Sequence, residues 1–309
     1  MPTLRRAGAA EEAERDRLSH AEWAGGLSLD DHLARERALR ASAWSRAAHT
    51  MWLWEEGGAV LASCETYAVR SAIGGVPGVT YEIASVFTEE HHRGRGHASR
   101  LLDALAAAHA APDLQAFLLF SDVGEAMYAR LGFEGLPAWD RVATPLRASP
   151  APGLVPLTAA TLHEAWAAAV ARFGGAVSSP PPYTLRPSAA QLHWHLDEAR
   201  LSAALAGRPD LPTCGARLGD AVIVWALDPR ADELLVLDLV ADAAEAGPLW
   251  AAARDAAADA GLTAVRAWET ADWPGLGGRV AREGHVPMIR PMAAFEAATF
   301  DRVPRGLWV

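Results

Sequence analysis

The sequence contains no lysine and no asparagine, and arginine supplies all 28 of its basic side chains. This composition is typical of a GC-rich, bacterial-type genome. A Walker phosphate loop ends in Gly-Lys-Ser or Gly-Lys-Thr, so the absence of lysine excludes that class of nucleotide site. Cysteine is scarce: Cys64 and Cys214 are the only two, and both fall in strand-like runs. Two isolated cysteines favour a reducing compartment over a disulfide-stapled secreted fold.

Long apolar segments are missing as well. No window reaches the ~18 uninterrupted apolar residues that a transmembrane helix needs. The N-terminal residues include Arg5 and Arg6 but continue into an acidic, helix-like segment, which is unlike a signal peptide. We therefore expect a cytoplasmic protein without a membrane partner.

The size and charge of the chain limit its domain count and its partners. A chain of 309 residues is long for one domain and comfortable for two, and a 51% apolar composition supports a full core. The net charge of −10 argues against broad nucleic-acid binding and favours neutral or cationic small partners. The oligomeric state stays open.

Hydrophobic periodicity predicts an α/β chain whose second half repeats the element order of the first. Two helices at 11–19 and 29–42 come first. Each half is then predicted to contain a two-stranded hairpin followed by a strand, a helix, a strand, a helix and a final strand. In the first half these segments are 51–54, 59–70, 79–87, 96–109, 114–120, 124–131 and 139–145. In the second half they are 214–217, 221–227, 233–240, 247–260, 263–268, 275–283 and 286–291. A linker rich in proline and small residues at 148–157 sets the predicted domains at 1–147 and 148–309.

A basic, glycine-rich turn separates the strand that ends at Phe87 from the following helix. It reads Arg93-Gly94-Arg95-Gly96-His97-Ala98. Glycines at a helix start let backbone N–H groups approach an anion, and the helix dipole adds positive charge, so the turn is suited to a diphosphate. The matching turn of the second half, residues 241–246, carries Asp242 and Glu245 instead. These carboxylates would repel a diphosphate, so we expect a single anion site.

The turn at 93–98 resembles the Arg/Gln-x-x-Gly-x-Gly/Ala signature of the GNAT N-acetyltransferases. The segment from Ser121 to Phe133 is similar to the second motif of that family. Segments at 20–23, 27–31 and 64–66 are most like the fungal lysine N6-acetyltransferases and their bacterial relatives. The resemblance implies a mixed central sheet flanked by helices, and the internal repeat implies a second, degenerate GNAT-like domain that covers the acceptor side.

The resemblance also implies acetyl-CoA as cosubstrate and a set of residues that would bind it. The diphosphate would lie on the backbone of the turn and helix start, at Arg93, Gly94, Arg95, Gly96, His97, Ala98 and Ser99. The pantetheine arm would pair with the strand end, at Val86, Phe87 and Thr88, and would form a hydrogen bond with Ser121. The alternative is a solvated basic turn at an ordinary helix start.

Two side chains are candidates for acid–base chemistry. Glu82 precedes Arg93 by 11 residues, where related histone acetyltransferases carry their general base. A purely structural role for Glu82 stays open, and Glu65 is a rival base. Tyr128 matches the tyrosine that often protonates the CoA sulfur in this family, with core packing as its alternative role.

The predicted reaction is transfer of an acetyl group to a primary amine by direct attack, with free lysine or another small cationic amine as acceptor. The alternatives are a different acceptor, such as an aminoglycoside, a polyamine or a peptide N-terminus, or a non-catalytic acyl-CoA sensor. The pairs His91-His92 and His193-Trp194-His195 lack a ligand set with metal-binding spacing, so no metal is expected.

Overall fold

The computed structural model describes residues 1–109, 111–173, 183–270, 275–282, 284–292, 300 and 303–309. The chain divides into two compact units. Unit 1 comprises Met1–Leu136, Gly284–Ala298 and Val309, and unit 2 comprises Pro137–Glu283 and Thr299–Trp308. Among the helices of the described ranges, none is long and apolar enough to cross a membrane.

Unit 1 begins with one strand and three helices before its sheet. Its elements to residue 136 are β1 (Thr3–Arg6), α1 (Ala9–Trp23), α2 (Leu29–Arg40), α3 (Ala43–Ala48), β2 (His49–Glu56), β3 (Ala59–Ile73), β4 (Val76–Phe87), α4 (His97–Ala108), β5 (Leu114–Ser121), α5 (Ala126–Ala129) and β6 (Glu134–Gly135). A 3-10 turn at Glu90–His92 lies between β4 and α4.

Unit 2 contains most of the remaining elements. They are β7 (Trp139–Ala143), β8 (Leu154–Leu157), α6 (Ala159–Phe173), β9 (Tyr183–Leu185), α7 (Ala189–Leu205), β10 (Gly215–Leu218), β11 (Ala221–Asp228), β12 (Glu233–Val240), α8 (Ala243–Asp259), β13 (Ala264–Trp268) and β14 (Gly278–Ala281). The strand β15 (Val286–Pro291) follows, and a 3-10 turn occupies Arg305–Leu307.

Helix starts and core positions follow from local sequence. Ser28 caps α2: its Oγ accepts a hydrogen bond from the Asp31 N–H at 3.1 Å. In α4, Leu101, Leu102 and Leu105 are buried within one apolar cluster that includes Phe117 of β5. The spacing of these leucines puts them on one helix face, and burial of that face fixes α4 against the sheet.

Each sheet is mixed and contains a parallel pair of strands. The sheet of unit 1 runs in the order β1-β2-β3-β4-β5-β15-β6, and that of unit 2 in the order β14-β7-β13-β12-β11-β10-β8. The parallel pairs are β4 with β5 and β12 with β13. The helix α4 connects the first pair and α8 the second. The prediction of a mixed α/β fold with two similar halves is confirmed.

Two strands were each predicted in the sheet of one half and lie in the sheet of the other half. Segment 139–145 was expected to close the first sheet, but β7 pairs with β13 in unit 2. Segment 286–291 was expected to close the second sheet, but β15 pairs with β5 in unit 1. The compact units therefore do not follow a linear division between residues 147 and 148. Hydrophobic alternation predicts a strand, but it does not specify which edge that strand joins.

Other differences concern unit 2. The predicted helix at 275–283 is wrong for 278–281, which form β14. Gly277 has φ +83° there, and a Cβ on it would lie 2.5 Å from the Val142 carbonyl oxygen of β7, so glycine permits this close approach. His193 and His195 lie in α7 and not on a strand. The proline cluster at 180–187 lies partly outside the described residues.

Candidate functional site

The parallel strands β4 and β5 part at their carboxyl ends. Their pairing runs from Val79 with Leu114 to Ile83 with Leu119, and the described part of the chain shows no pairing between them beyond that point. Both strands continue, β4 to Phe87 and β5 to Ser121. Crevices at the carboxyl ends of such strands are where α/β sheets bind ligands.

A bulge in β4 accompanies this separation. The register of β3 with β4 shifts between Ser63, which pairs with Phe87, and Glu65, which pairs with Ala84. Ser85 has φ +51°, a left-handed conformation that is uncommon outside glycine. Bulges and strained residues of this kind are frequent beside functional sites because they redirect the strand. The bulge places the strand end 86–88 at the opening between the strands.

The glycine-rich turn follows directly. Gly94 has φ +75° and Gly96 has φ +74°, and Gly96 is the N-cap of α4. A Cβ at either position would meet no atom within 4 Å, so glycine is required here for backbone conformation and not for space. The first turn of α4 contains His97, Ala98 and Ser99, whose N–H groups have no partner within the helix. This geometry suits an anion.

Positive charge surrounds the start of α4. Burial lowers the pKa of His97, and the charges of Arg100, His92 and Arg95 lower it further. The positive potential of these side chains disfavours a proton on His97. The same potential attracts the negative charge of a diphosphate. The predicted residues of the turn are therefore brought together with the end of β4 by the structure.

Arg93 is already engaged by groups of the protein. Its Nε donates to the Thr88 carbonyl oxygen at 3.0 Å, and its Nη2 lies 2.7 Å from Glu22 Oε1 in α1. Phe87 packs edge-on against Trp23, with ring centroids 5.7 Å apart. Thus the strand end and the turn both contact the C-terminal end of α1, a contact that the sequence analysis did not predict.

Glu82 lies in the interior of the sheet. It is 1% exposed and sits between Tyr67 of β3 and Leu118 of β5. Alternation along β4 places it on the opposite face from Ile83, which belongs to the same apolar cluster as the α4 leucines. Glu82 is thus within the last pairs of the β4–β5 ladder, next to the point where the strands part.

Glu65 is the centre of a buried polar network. Arg40 Nη2 donates to Glu65 Oε1 at 2.9 Å, His49 Nε2 lies 3.5 Å from the same oxygen, and the Tyr67 hydroxyl donates to Oε2 at 3.2 Å. Burial raises the pKa of Glu65, but His49 and Arg40 outweigh burial and hold that pKa well below the usual range of glutamate. A carboxylate held in its charged form in this way is a weak base.

Tyr128 projects from the short helix α5 into the core of unit 1. It is 7% exposed, and burial, with smaller contributions from Asp122 and Cys64, raises its pKa to about 12. Its ring packs edge-on against Phe133 at 6.0 Å. The phenol therefore keeps its proton at neutral pH and is available as a hydrogen-bond donor or acid.

The segment before α5 is fixed by hydrogen bonds that use the predicted polar residues. Ser121 Oγ donates to the Gly124 carbonyl oxygen at 2.7 Å, so its proton is used within the protein and its lone pairs remain for a ligand. Asp122 Oδ1 accepts from the His285 N–H at 2.9 Å and lies 2.8 Å from His285 Nδ1. This pair joins residues 163 positions apart, and no local sequence signal predicts it.

The equivalent position in unit 2 is closed by its own side chains. The pairing of β12 with β13 also ends before β12 does, at Val236 with Ala267. Asp242 caps α8, and its Oδ1 accepts from the N–H groups of Ala244 at 2.9 Å and Glu245 at 3.1 Å. A protein carboxylate thus occupies the place of an external anion at this helix start.

The C-terminal segment adds to this closure of unit 2. A Cβ on Gly306 would lie 3.3 Å from the Leu237 carbonyl oxygen of β12, and the neighbouring Leu307 is fully buried. The Gly306 carbonyl oxygen also lies 2.9 Å from His195 Nε2. Chain segment 305–307 therefore covers β12 just where its pairing with β13 has stopped.

The histidine pairs do not gather further ligands in the described residues. The rings of His91 and His92 are 3.9 Å apart, between their centroids. Within the described ranges, no three histidine, cysteine or acidic side chains form a group that could hold a metal ion.

Residues 15–133 match the model of the acetyltransferase (GNAT) family. A lysine acetyltransferase from Yarrowia lipolytica is 32% identical over 104 residues, which cover 29% of this chain and 25% of that protein. The match thus spans a quarter of the relative's length, and it lies in one region of each protein.

Solved structures match almost the whole chain at low identity. A GNAT-type N-acetyltransferase from Kribbella flavida aligns with a TM-score of 0.63 at 18% identity, covering 95% of this chain and 72% of its own. A tandem GNAT protein from the clavulanic acid biosynthesis pathway aligns with a TM-score of 0.50 at 14% identity, covering 97% of this chain and all of its own. These similarities support two successive GNAT-like folds in this chain.

Proposed function

Because unit 1 of this chain carries a GNAT acetyltransferase domain at residues 15–133, we propose that the protein transfers the acetyl group of acetyl-CoA to the primary amine of a small cationic acceptor. One observation carries the proposal. The strands β4 and β5, which part at their ends, the helix α4, which begins at the glycine turn, and the buried Tyr128 all contribute to one apolar cluster of unit 1. That arrangement provides for the cosubstrate's anion, its extended arm and its leaving group together.

The cosubstrate would be held mainly by backbone groups. The N–H groups of the turn and of His97, Ala98 and Ser99 would bind the diphosphate, assisted by the charge of Arg95. The pantetheine arm would add alongside β4 at residues 86–88, where β5 no longer pairs with it. Backbone recognition of this kind needs a fixed conformation, which the two left-handed glycines supply.

Glu82 is the base that we propose for deprotonating the acceptor, directly or through a water molecule. Its rival Glu65 contacts Arg40, His49 and Tyr67, and His49 and Arg40 hold the Glu65 pKa well below the usual range of glutamate. Glu82 lies beside the opening between the strands, in the last pairs of the β4–β5 ladder. Attack of the free amine on the thioester would then proceed without a covalent enzyme intermediate.

Tyr128 is the acid that we propose for the departing CoA thiolate. Its pKa of about 12 keeps the phenol protonated. Burial also raises the pKa of the Cys64 thiol, which belongs to the same apolar cluster as Tyr128, and this supports a site that disfavours a thiolate. A CoA thiolate formed beside Tyr128 would therefore be more basic than in water, and proton transfer from the phenol would be correspondingly easier.

The acceptor that we favour is free lysine or a similar small cationic amine. The relative from Yarrowia lipolytica is a lysine acetyltransferase, and a protein with a net charge of −10 attracts cations. The experiment is an assay with isotope-labelled acetyl-CoA and a panel of lysine, polyamines, aminoglycosides and peptide N-termini. Turnover on another amine would change the acceptor, whereas acetyl-CoA binding without turnover on any amine would identify a non-catalytic sensor.

A further inference from the structure

The helix α1 is attached to the glycine-rich turn region by two ion pairs of different character. Arg15 Nη1 lies 2.8 Å from Glu89 Oε1, with side chains only 10% and 21% exposed. Glu22 Oε1 lies 2.7 Å from Arg93 Nη2, with side chains 48% and 50% exposed. Residues 15 and 22 are two turns apart on one face of the helix. The inner attachment is buried, and the outer one is open to solvent.

The outer ion pair engages Arg93, which is one of the two arginines that the turn offers to a diphosphate, the other being Arg95. The guanidinium of Arg93 has five N–H donors, and the contacts to Thr88 and Glu22 leave the others available. A diphosphate at the start of α4 brings two negative charges, the helix dipole already favours it, and it can accept several hydrogen bonds. A single exposed carboxylate such as Glu22 is a weak competitor, since exposed ion pairs gain little stability.

We propose that Glu22 is a displaceable partner of Arg93. Glu22 pairs with the Arg93 guanidinium until the diphosphate of an acyl-CoA binds there and replaces the Glu22 carboxylate. This inference rests on the proposed function, because it requires that the turn binds acyl-CoA. The Thr88 carbonyl oxygen keeps its hydrogen bond from Arg93 Nε during this change. The guanidinium therefore rotates about that contact, and its Nη2 moves from the Glu22 carboxylate to the diphosphate. The buried Arg15–Glu89 pair keeps α1 attached during the exchange.

A reciprocal consequence follows for α1. If acyl-CoA and Glu22 compete for Arg93, binding of acyl-CoA releases the last turn of α1, including Trp23, which packs on Phe87 at the opening. By linkage, any change that weakens the Glu22–Arg93 contact strengthens acyl-CoA binding. Glu22 is therefore a positioning residue that lowers cosubstrate affinity, and it takes no part in the chemistry.

The test is a double-mutant cycle on acetyl-CoA affinity, measured by isothermal titration calorimetry on the full chain. Glu22→Gln should lower the Kd roughly twofold to fivefold, the range that corresponds to an exposed ion pair. In the Arg93→Ala background the same substitution should leave the Kd unchanged, because the competition has been removed. Glu90→Gln removes an exposed carboxylate of the same loop region and serves as the charge-matched control.

The outcomes separate the two claims. If the parent protein does not bind acetyl-CoA at all, the proposed function fails. If the parent binds but Glu22→Gln has the parent Kd, the exchange of partners is overturned. An equal gain in Glu90→Gln, or an equal gain from Glu22→Gln in the Arg93→Ala background, shows a general effect of charge and also overturns it.

Discussion

Arg40 Nη2 bridges two carboxylates in the interior of unit 1, at 2.6 Å from Asp16 Oδ1 and 2.9 Å from Glu65 Oε1. The pair of Arg40 with Glu65 ties α2 to β3. It also supports a structural role for Glu65, which the sequence offers as a rival base, since the guanidinium beside it stabilises the charged carboxylate.

Arg40→Met should destabilise the protein by about 3–5 kcal/mol, because it removes the guanidinium that two buried carboxylates, Asp16 and Glu65, share. The free energy of unfolding from urea titration at neutral pH measures this. Arg17→Met is the control, since Arg17 forms an exposed pair with Glu14 within α1; its effect should stay below about 0.5 kcal/mol. Similar losses in both variants would contradict the interpretation of Arg40.

Glu82→Gln should lower kcat by about 10²–10⁴ and remove the acidic limb of the pH–rate profile, with the Kd for acetyl-CoA unchanged. The amide keeps the shape of the side chain and removes its basicity. Glu65→Gln is the comparison: it should reduce stability through the loss of charge beside Arg40. An intact acidic limb in Glu82→Gln would show that another group deprotonates the acceptor.

Tyr128→Phe should lower kcat by about 10²-fold or more while acetyl-CoA binds as before, because the ring packing survives and only the proton donor is lost. Tyr81→Phe is a suitable control, since Tyr81 lies in β4, is half-buried and packs on His109 without a proposed role in the reaction. The measurement is steady-state kinetics with calorimetric binding. Unchanged kcat in Tyr128→Phe would show that another group protonates the CoA thiolate.

Each chain should bind one acetyl-CoA. Asp242 closes the helix start of unit 2, whereas Gly96 opens that of unit 1. Gly96→Val forces a β-branched residue to φ +74° and should weaken binding at least tenfold. Gly58→Val, at φ +84° in the β2–β3 turn and with no atom near its Cβ, is matched in strain and should leave the Kd unchanged. A calorimetric stoichiometry of two would refute the closed second site.

His195 should make the folded state acid-sensitive. Burial lowers its pKa to about 3, below the ordinary value of ~6.5 in the unfolded chain. Between these values the unfolded state binds more protons, so stability falls as the pH falls. From pH 6.5 to pH 5 this group should cost about 2 kcal/mol. His195→Gln retains a donor toward the Gly306 carbonyl oxygen and should lose that part of the slope in urea titrations. If the free energy of unfolding falls with pH as steeply in His195→Gln as in the parent protein, His195 is not the source of the acid sensitivity.

The sequence predicts best where structure depends on neighbours in the chain. The glycine turn lies at 93–98 as predicted, and the cap at Ser28 and the leucine face of α4 also follow from short-range patterns. These features are local because helix caps and left-handed turns are decided by a few adjacent residues.

The remaining parts of the site depend on pairs that are distant in the chain. Arg40 reaches Asp16 and Glu65 over 24 and 25 positions, and Asp122 reaches His285 over 163. Composition and periodicity indicate whether a residue is buried, but they do not indicate which distant residue it contacts. The sheet to which β7 and β15 belong could not be predicted for the same reason. Their hydrophobic alternation is compatible with pairing at the edge of either sheet.

The position of β15 has a consequence for how the protein is made. The β5 edge of unit 1 is completed only when residues 286–291 have left the ribosome, after nearly all of unit 2 has been synthesised. Until then the nascent chain presents an open strand edge, which is a template for pairing with other chains. Unit 1 is thus translated first but completed last, and cotranslational chaperones would have to protect it for most of its synthesis.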